Sequence, residues 1–161
     1  MVENKKLIYR YLSEISDPEI PVINIVEMGV VRDVLFHGSK LEIKLTPTYS
    51  GCPAMDMIHQ LVEEKLHSNG YNSVEVTLVY KPAWTTDWMS NETKEKLRRY
   101  GIAPPIGEIV SKKALLNNEH VSCPQCGSKN TEIKSMFGST ACKALYVCKK
   151  CLEPFDYFKC I

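Results

Sequence analysis

The 161-residue sequence predicts an α+β fold, with an α-β-β-α-β layer over residues 1–105, a linker over 106–119 and a small separate domain over 120–161. Three observations carry that prediction. Apolar residues recur at helical spacing in two segments and alternate at strand spacing in others, with helices and strands interleaved. A Pro-rich step at Ile102-Ala103-Pro104-Pro105 opens a polar stretch that runs to Glu119. Beyond it stand two CxxC pairs, in a segment too short to fold on apolar burial alone.

The elements follow in order. Ile8, Tyr11, Leu12 and Ile15 share one face of a helix predicted from about Glu3 to Ile15, which Asp17-Pro18 ends because the residue before proline is driven out of helical geometry. DPEIPVINIVEMG then reads as an extended connector packed on the core and turning at Gly29. Val30 to Phe36 and Leu41 to Leu45 flank a short turn at His37-Gly38-Ser39-Lys40, which predicts a β-hairpin. A second helix follows, with Met55, Ile58, Leu61, Val62 and Leu66 as its buried stripe and Asn69-Gly70 as its stop. Ser73 to Tyr80 alternates again, placing Val74, Val76, Leu78 and Tyr80 on one face. Trp84 and Trp88, both tryptophans of the chain, fall in AWTTDWM and read first as a lid on the core and second as a docking surface. Ser90 caps a short polar surface helix that Gly101 closes.

Composition bounds the function classes. A hydrophobic share of 44% and a charged share of 24% are those of an ordinary globular protein. Residues 1–119 hold 14 basic and 16 acidic residues, net −2, and residues 120–161 hold 6 and 3, net +3. That modest charge, without a recognition motif, argues against nucleic acid as a partner. The segment MVENKKLIYR has no secretory signature and no apolar run approaches the ~20 residues that span a bilayer, so a cytoplasmic protein without a membrane partner is expected. No HExxH, GxSxG or phosphate-cradling glycine loop is present, which argues against hydrolase and nucleotide chemistry.

Two places could carry chemistry. Cys123-Pro-Gln-Cys126 and Cys148-Lys-Lys-Cys151 are separated by 21 intervening residues, and two such knuckles supply four thiolates to one tetrahedral ion. Structural zinc is the first expectation and rubredoxin-like iron the second, since sulfur ligands alone do not separate them. Cys142 and Cys160 are surplus and read as small buried hydrophobes. The other place is TPTYSGCPAMDMI, where Pro53 suits the first helical position and Cys52 the cap, so the helix dipole is expected to favour a thiolate there. Asp17, Glu19 and the hydroxyls of Thr46, Thr48, Tyr49 and Ser50 could join it, although Asp before Pro is also a common turn residue and a lone cysteine is most often inert. None of the four histidines shows metal or nucleophile-base spacing.

DPEIPVINIVEMGVVRDV and LTPTYSGCPAMDMI resemble the MIP18-like family, formerly a domain of unknown function (DUF59), whose members assist cytosolic iron–sulfur cluster assembly. WTTDWM, YGIAPP, the CxxC pairs and FGSTACKALYVCKKCLEPFDYFKC are similar to the PaaD family of phenylacetate-degradation proteins, which joins that domain to a zinc ribbon. The resemblance implies a MIP18-like domain followed by a zinc ribbon, and association with the multicomponent phenylacetyl-CoA 1,2-epoxidase, a monooxygenase. The implied role is non-catalytic: maturing an iron–sulfur or di-iron centre, with the epoxidase's iron–sulfur reductase as the foremost client. By motif match, Asp17, Glu19 and Cys52 fall on the family's acidic and cysteine positions, where iron or a cluster would be held transiently. One thiolate is too few for a cluster, so a homodimer or a partner's ligands would complete the site. The competing expectation is a structural subunit of the epoxidase that contacts it through Trp84, Trp88 and the ribbon.

Overall fold

The computed structural model describes residues 2–105 and 121–159, in two compact units, residues 1–84 and 85–161. The predicted linker, His120 and Cys160 lie outside the described residues.

The first unit opens with α1, Val2–Leu12, which buries Ile8 and Leu12 completely. Its last bonds tighten: Ile15 N donates to Leu12 O at 3.1 Å, so the helical path narrows before Asp17-Pro18. The connector packs Ile20, Ile23, Ile25 and Met28 into the core. β1, Val31–His37, and β2, Lys40–Leu45, form the expected antiparallel hairpin, with a register shift between Val31 and Asp33. α2, Ala54–Ser68, carries the chain across to β3, Val74–Leu78, which pairs with β2 in parallel and gives the order β1-β2-β3. A parallel pair needs such a crossover, and the apolar stripe of α2 supplies it with a buried face. Leu61 is only half-buried, while Ala54, Met55, Ile58, Val62 and Leu66 are buried. β3 departs from its alternation: Leu78 is 40% exposed and Tyr80, beyond the strand, 58%. The lid reading holds for Trp84, which is buried and donates its Nε1–H to Met28 O at 2.9 Å.

The second unit begins with a 3₁₀ turn, Thr86–Trp88, and α3, Asn91–Tyr100. Ser90 Oγ accepts from Thr93 N at 3.1 Å as the cap, and Gly101 closes the helix in a left-handed conformation. The sequence reading placed residues 85–105 with the first domain. In the structure they belong to the second unit, because β4, Ile102–Ala103, pairs in parallel with β7, Pro154–Phe158. β5, Thr131–Ser135, and β6, Lys143–Cys148, complete a four-stranded sheet of order β4-β7-β6-β5. Tyr146 anchors its core, stacked on Phe155 at 5.9 Å and edge-on to Tyr157 at 5.6 Å.

Candidate functional site

In the second unit, two tight turns bring four thiols together. Cys123 N donates to Ser128 O and Gly127 N to Cys123 O, each at 2.9 Å. The other knuckle repeats the pattern: Cys148 N donates to Glu153 O at 3.0 Å and Leu152 N to Cys148 O at 2.9 Å. Each turn needs a residue at positive φ after its second cysteine. Gly127 meets that need at φ 70°, but in the second knuckle Leu152 stands at φ 65°, where a side chain is strained. The four Sγ atoms all lie within 4.8 Å of one another, with Cys123 to Cys151 at 3.7 Å and Cys126 to Cys148 at 3.6 Å. A tetrahedral ion with metal–sulfur bonds of about 2.3 Å sets the sulfurs about 3.8 Å apart, so the cluster fits zinc, or iron in the same geometry.

The thiols of this cluster compete for charge. Backbone N–H groups of Cys151 and Lys150 hold Cys148 down to about 6. At Cys151 the Glu153 N–H lowers the pKa, but burial and the thiols of Cys148, Cys126 and Cys123 outweigh it and push the group up to about 12. Four thiolates cannot all ionise side by side without a cation to neutralise them. Four protein ligands also leave no open position for a substrate. Cys142 is buried as expected, with its Sγ 2.9 Å from Thr140 Oγ1.

The Cys52 constellation belongs to the first unit. Thr46 leaves β2 with its N–H on Val30 O at 2.8 Å, and the loop then turns back so that Cys52 N reaches Tyr49 O at 3.3 Å. Pro53 is helical at φ −69°, and Met55 N bonds to Cys52 O at 3.2 Å. Cys52 therefore sits at the effective cap of α2, as its sequence position suggested.

Its predicted charge state is corrected. Burial pushes the Cys52 thiol above its ordinary value, the Ala54 N–H and the Tyr49 side-chain hydrogen bond oppose this, and the negative charges of Glu19 and Asp17 add to the rise. Desolvation and two carboxylates outweigh the helix cap. The carboxylates of Asp17 and Glu19 thus act on Cys52 from the connector, a separate segment, while Tyr49 reaches it from within the same loop. Asp17 is 6% exposed and also fills the turn role open to it, its Oδ1 accepting from Glu19 N at 2.8 Å and Ile20 N at 2.9 Å.

Of the four loop hydroxyls, packing singles out one. Thr46 is 1% exposed, and its Oγ1 is the one buried side-chain polar atom among the described residues with no hydrogen-bond partner. In the sequence it was one hydroxyl among several, with no signal to separate it. Thr48 and Tyr49 are half-buried and Ser50 is exposed. The described histidines keep bland roles: His37 Nε2 lies 3.0 Å from Glu42 Oε2, and His59 Nε2 lies 3.3 Å from Val76 O. No helix among the described residues is long and apolar enough to cross a membrane.

Comparison with known proteins covers both units. The iron-sulfur cluster assembly protein family matches residues 5–78, and the PaaD zinc beta ribbon domain matches residues 108–159. A putative subunit of the 1,2-phenylacetyl-CoA epoxidase of Escherichia coli (strain K12) is 53% identical over 96% of this chain and 92% of its own length. The "Fe-S protein maturation auxiliary factor" of Porphyromonas gingivalis is 33% identical over 60% of this chain and 92% of its own. A crystal structure of a DUF59 domain from Bacillus anthracis, 32% identical, superposes with a TM-score of 0.54 over 58% of this chain and 90% of its own.

Proposed function

We propose, for a chain that belongs to the PaaD family of 1,2-phenylacetyl-CoA epoxidase proteins, a role as a maturation accessory of that epoxidase in aerobic phenylacetate degradation. Its cargo is iron or an iron–sulfur cluster, bound transiently at Cys52 and delivered to a metal centre of the epoxidase. Cys123, Cys126, Cys148 and Cys151 hold zinc as a structural staple. Zinc bound there neutralises the four thiolates and ties the two knuckles together; the chemistry lies at Cys52.

The observation that carries this reading is a half-buried cysteine that hydrogen-bonds Tyr49 and feels the charges of Asp17 and Glu19, inside the region that matches the iron–sulfur assembly family. The two carboxylates disfavour a bare thiolate, and for the same electrostatic reason they attract a cation. The thiol thus keeps its proton while the site is empty and yields it when a metal arrives to balance the charge. Asp17 is held in place by two backbone N–H groups of its own connector, those of Glu19 and Ile20. The buried Thr46 hydroxyl is a hydrogen-bonding group the protein has left unmatched. One cysteine with two carboxylates is an incomplete ligand set, suited to handing a metal on rather than keeping it. A second copy of the chain or the client supplies the rest.

The name of the Escherichia coli relative, a putative epoxidase subunit, favours a second reading, in which the protein is a structural member of the epoxidase with no cargo. Cys52→Ser separates the two. Metal analysis after anaerobic loading should find about one zinc per chain in both proteins, following a four-thiolate site, and iron only in the wild type. Reconstitution of the epoxidase reductase should then lose cluster content with Cys52→Ser as with no protein at all. Equal iron in both proteins, or equal cluster content in every reconstitution, would discard the maturation reading and leave the structural one.

A further inference from the structure

The β5–β6 turn of the second unit, residues 136–142, holds no ligand of the four-thiol cluster. Two of its apolar side chains stand in solvent, Phe137 at 67% exposure and Met136 at 40%. An exposed Phe alone means little. What sets this one apart is the structure spent on holding it in place.

Lys159 is 8% exposed, and its Nζ donates to Met136 O at 2.8 Å while lying 4.8 Å from the centre of the Phe137 ring. Burying an ammonium is costly, and desolvation holds its pKa below the usual lysine value. A second lysine, Lys143, is 4% exposed and donates to Ser139 Oγ at 2.9 Å, and Ser139 donates in turn to Asp156 Oδ2 at 2.7 Å. Phe137 N donates to Ser135 Oγ at 3.1 Å and Gly138 N to Lys143 O at 2.8 Å. A Cβ on Gly138 would stand 2.3 Å from Asp156 Oδ1 and 3.2 Å from Lys143 Cβ, so any larger residue would push the Asp156 carboxylate aside. The turn is fixed from both sides, and its two largest side chains are left outside. That is the arrangement of a pre-organised anchor, which loses little conformational entropy when it binds.

Charge narrows the occupant. Residues 131–159 hold five lysines against Glu132, Glu153 and Asp156, net +2; Glu132 is paired with Lys134 at 3.2 Å and Lys149 at 3.3 Å and Asp156 is taken up by Ser139, while Lys159 lies beneath the ring. Two such tips meeting head to head would oppose their lysines, which disfavours a second copy of the chain there.

We propose that the Met136–Phe137 tip docks the second unit onto a partner protein, Phe137 entering an apolar pocket edged by carboxylates. The partner is a subunit of the phenylacetyl-CoA epoxidase, an assignment that rests on the function proposed above. The test is calorimetric titration of the purified chain into purified epoxidase subunits, at low and high salt, with Phe137→Ala and Lys159→Met beside the wild type. Phe137→Ala should weaken binding by about tenfold or more, with melting temperature and zinc content unchanged, since the ring is largely in solvent. Lys159→Met should weaken it less, and salt should weaken every complex that forms. If the wild type binds and Phe137→Ala matches it within about twofold, the tip is not the anchor, while the epoxidase reading stands. If the wild type binds no epoxidase subunit, that reading fails and takes this partner with it. If Phe137→Ala changes the mass of the isolated chain by light scattering, the tip's occupant is a second copy and the proposal is wrong.

Discussion

Replacing Thr46 with valine should make the protein more stable and less able to keep its cargo. Thr46 is 1% exposed and its Oγ1 has no hydrogen-bond partner, while its N–H remains on Val30 O at 2.8 Å. Valine has the same branched shape, so the backbone bond and the packing survive and only the hydroxyl is lost. A buried polar group without a partner costs about 1–3 kcal/mol, and the methyl that replaces it contributes about 0.8 kcal/mol of transfer free energy where it fits. Taking the low end, Thr46→Val should stabilise the first unit by about 1–2 kcal/mol, at about 4–8 °C in melting temperature for each kcal/mol in a unit of this size. Differential scanning calorimetry of the zinc-loaded protein measures it, and iron retention after anaerobic loading reads the functional side, which should fall. A melting temperature lowered by about 4 °C or more, the mirror of that gain, would show that the hydroxyl stabilises the fold, and the reasoning from its unmatched state would be refuted.

Two further outcomes follow from the geometry. Because burial, Glu19 and Asp17 hold the Cys52 thiol above its ordinary pKa, iodoacetamide at neutral pH should modify Cys52 more slowly than a cysteine in an unstructured peptide. Glu19→Gln removes one opposing charge and lowers the thiol pKa, so it should speed the reaction; mass spectrometry of the Cys52 peptide reads both rates, and an unchanged rate in Glu19→Gln would remove that carboxylate from the site. Leu152→Gly should relieve about 1–2 kcal/mol of left-handed strain and give back about 0.5–1 kcal/mol as unfolded-chain entropy, a net gain of about 0.5–1 kcal/mol. Gly127→Leu at the matching position of the other knuckle, where a Cβ meets nothing within 4 Å, should lose a similar amount; thermal melts of the zinc-loaded variants test the pair, and a loss for Leu152→Gly or a gain for Gly127→Leu would show that contacts, not φ, decide these positions.

Local signals were legible. CxxC spacing announced both knuckles, because two thiols a tight turn apart need nothing distant to converge. The Ser90 cap, the Gly101 stop and the 31–45 hairpin rest on near-neighbour bonds, and all appear where the sequence placed them. The apolar stripe of α2 was readable except at Leu61, since helical period alone does not say how wide the covering surface is.

The features that escaped the sequence are those that depend on which segments meet. Two residues of β4, pairing with a strand more than 50 positions away (Ile102 with Asp156), move residues 85–105 into the second unit, and no run of two residues announces such a partner. Cys52 was found from its place at the α2 cap, yet the sign of its pKa shift was set by desolvation and by Glu19 and Asp17, which arrive through the fold. The same holds for the exposure of Leu78, the unmatched hydroxyl of Thr46 and the buried Lys159 beneath Phe137. Chain order was enough to name the elements and the candidate ligands, since periodicity, caps and ligand spacing act over a few residues. The tertiary structure alone decided burial and charge, because desolvation and Coulomb interaction depend on distance in space and not on distance along the chain.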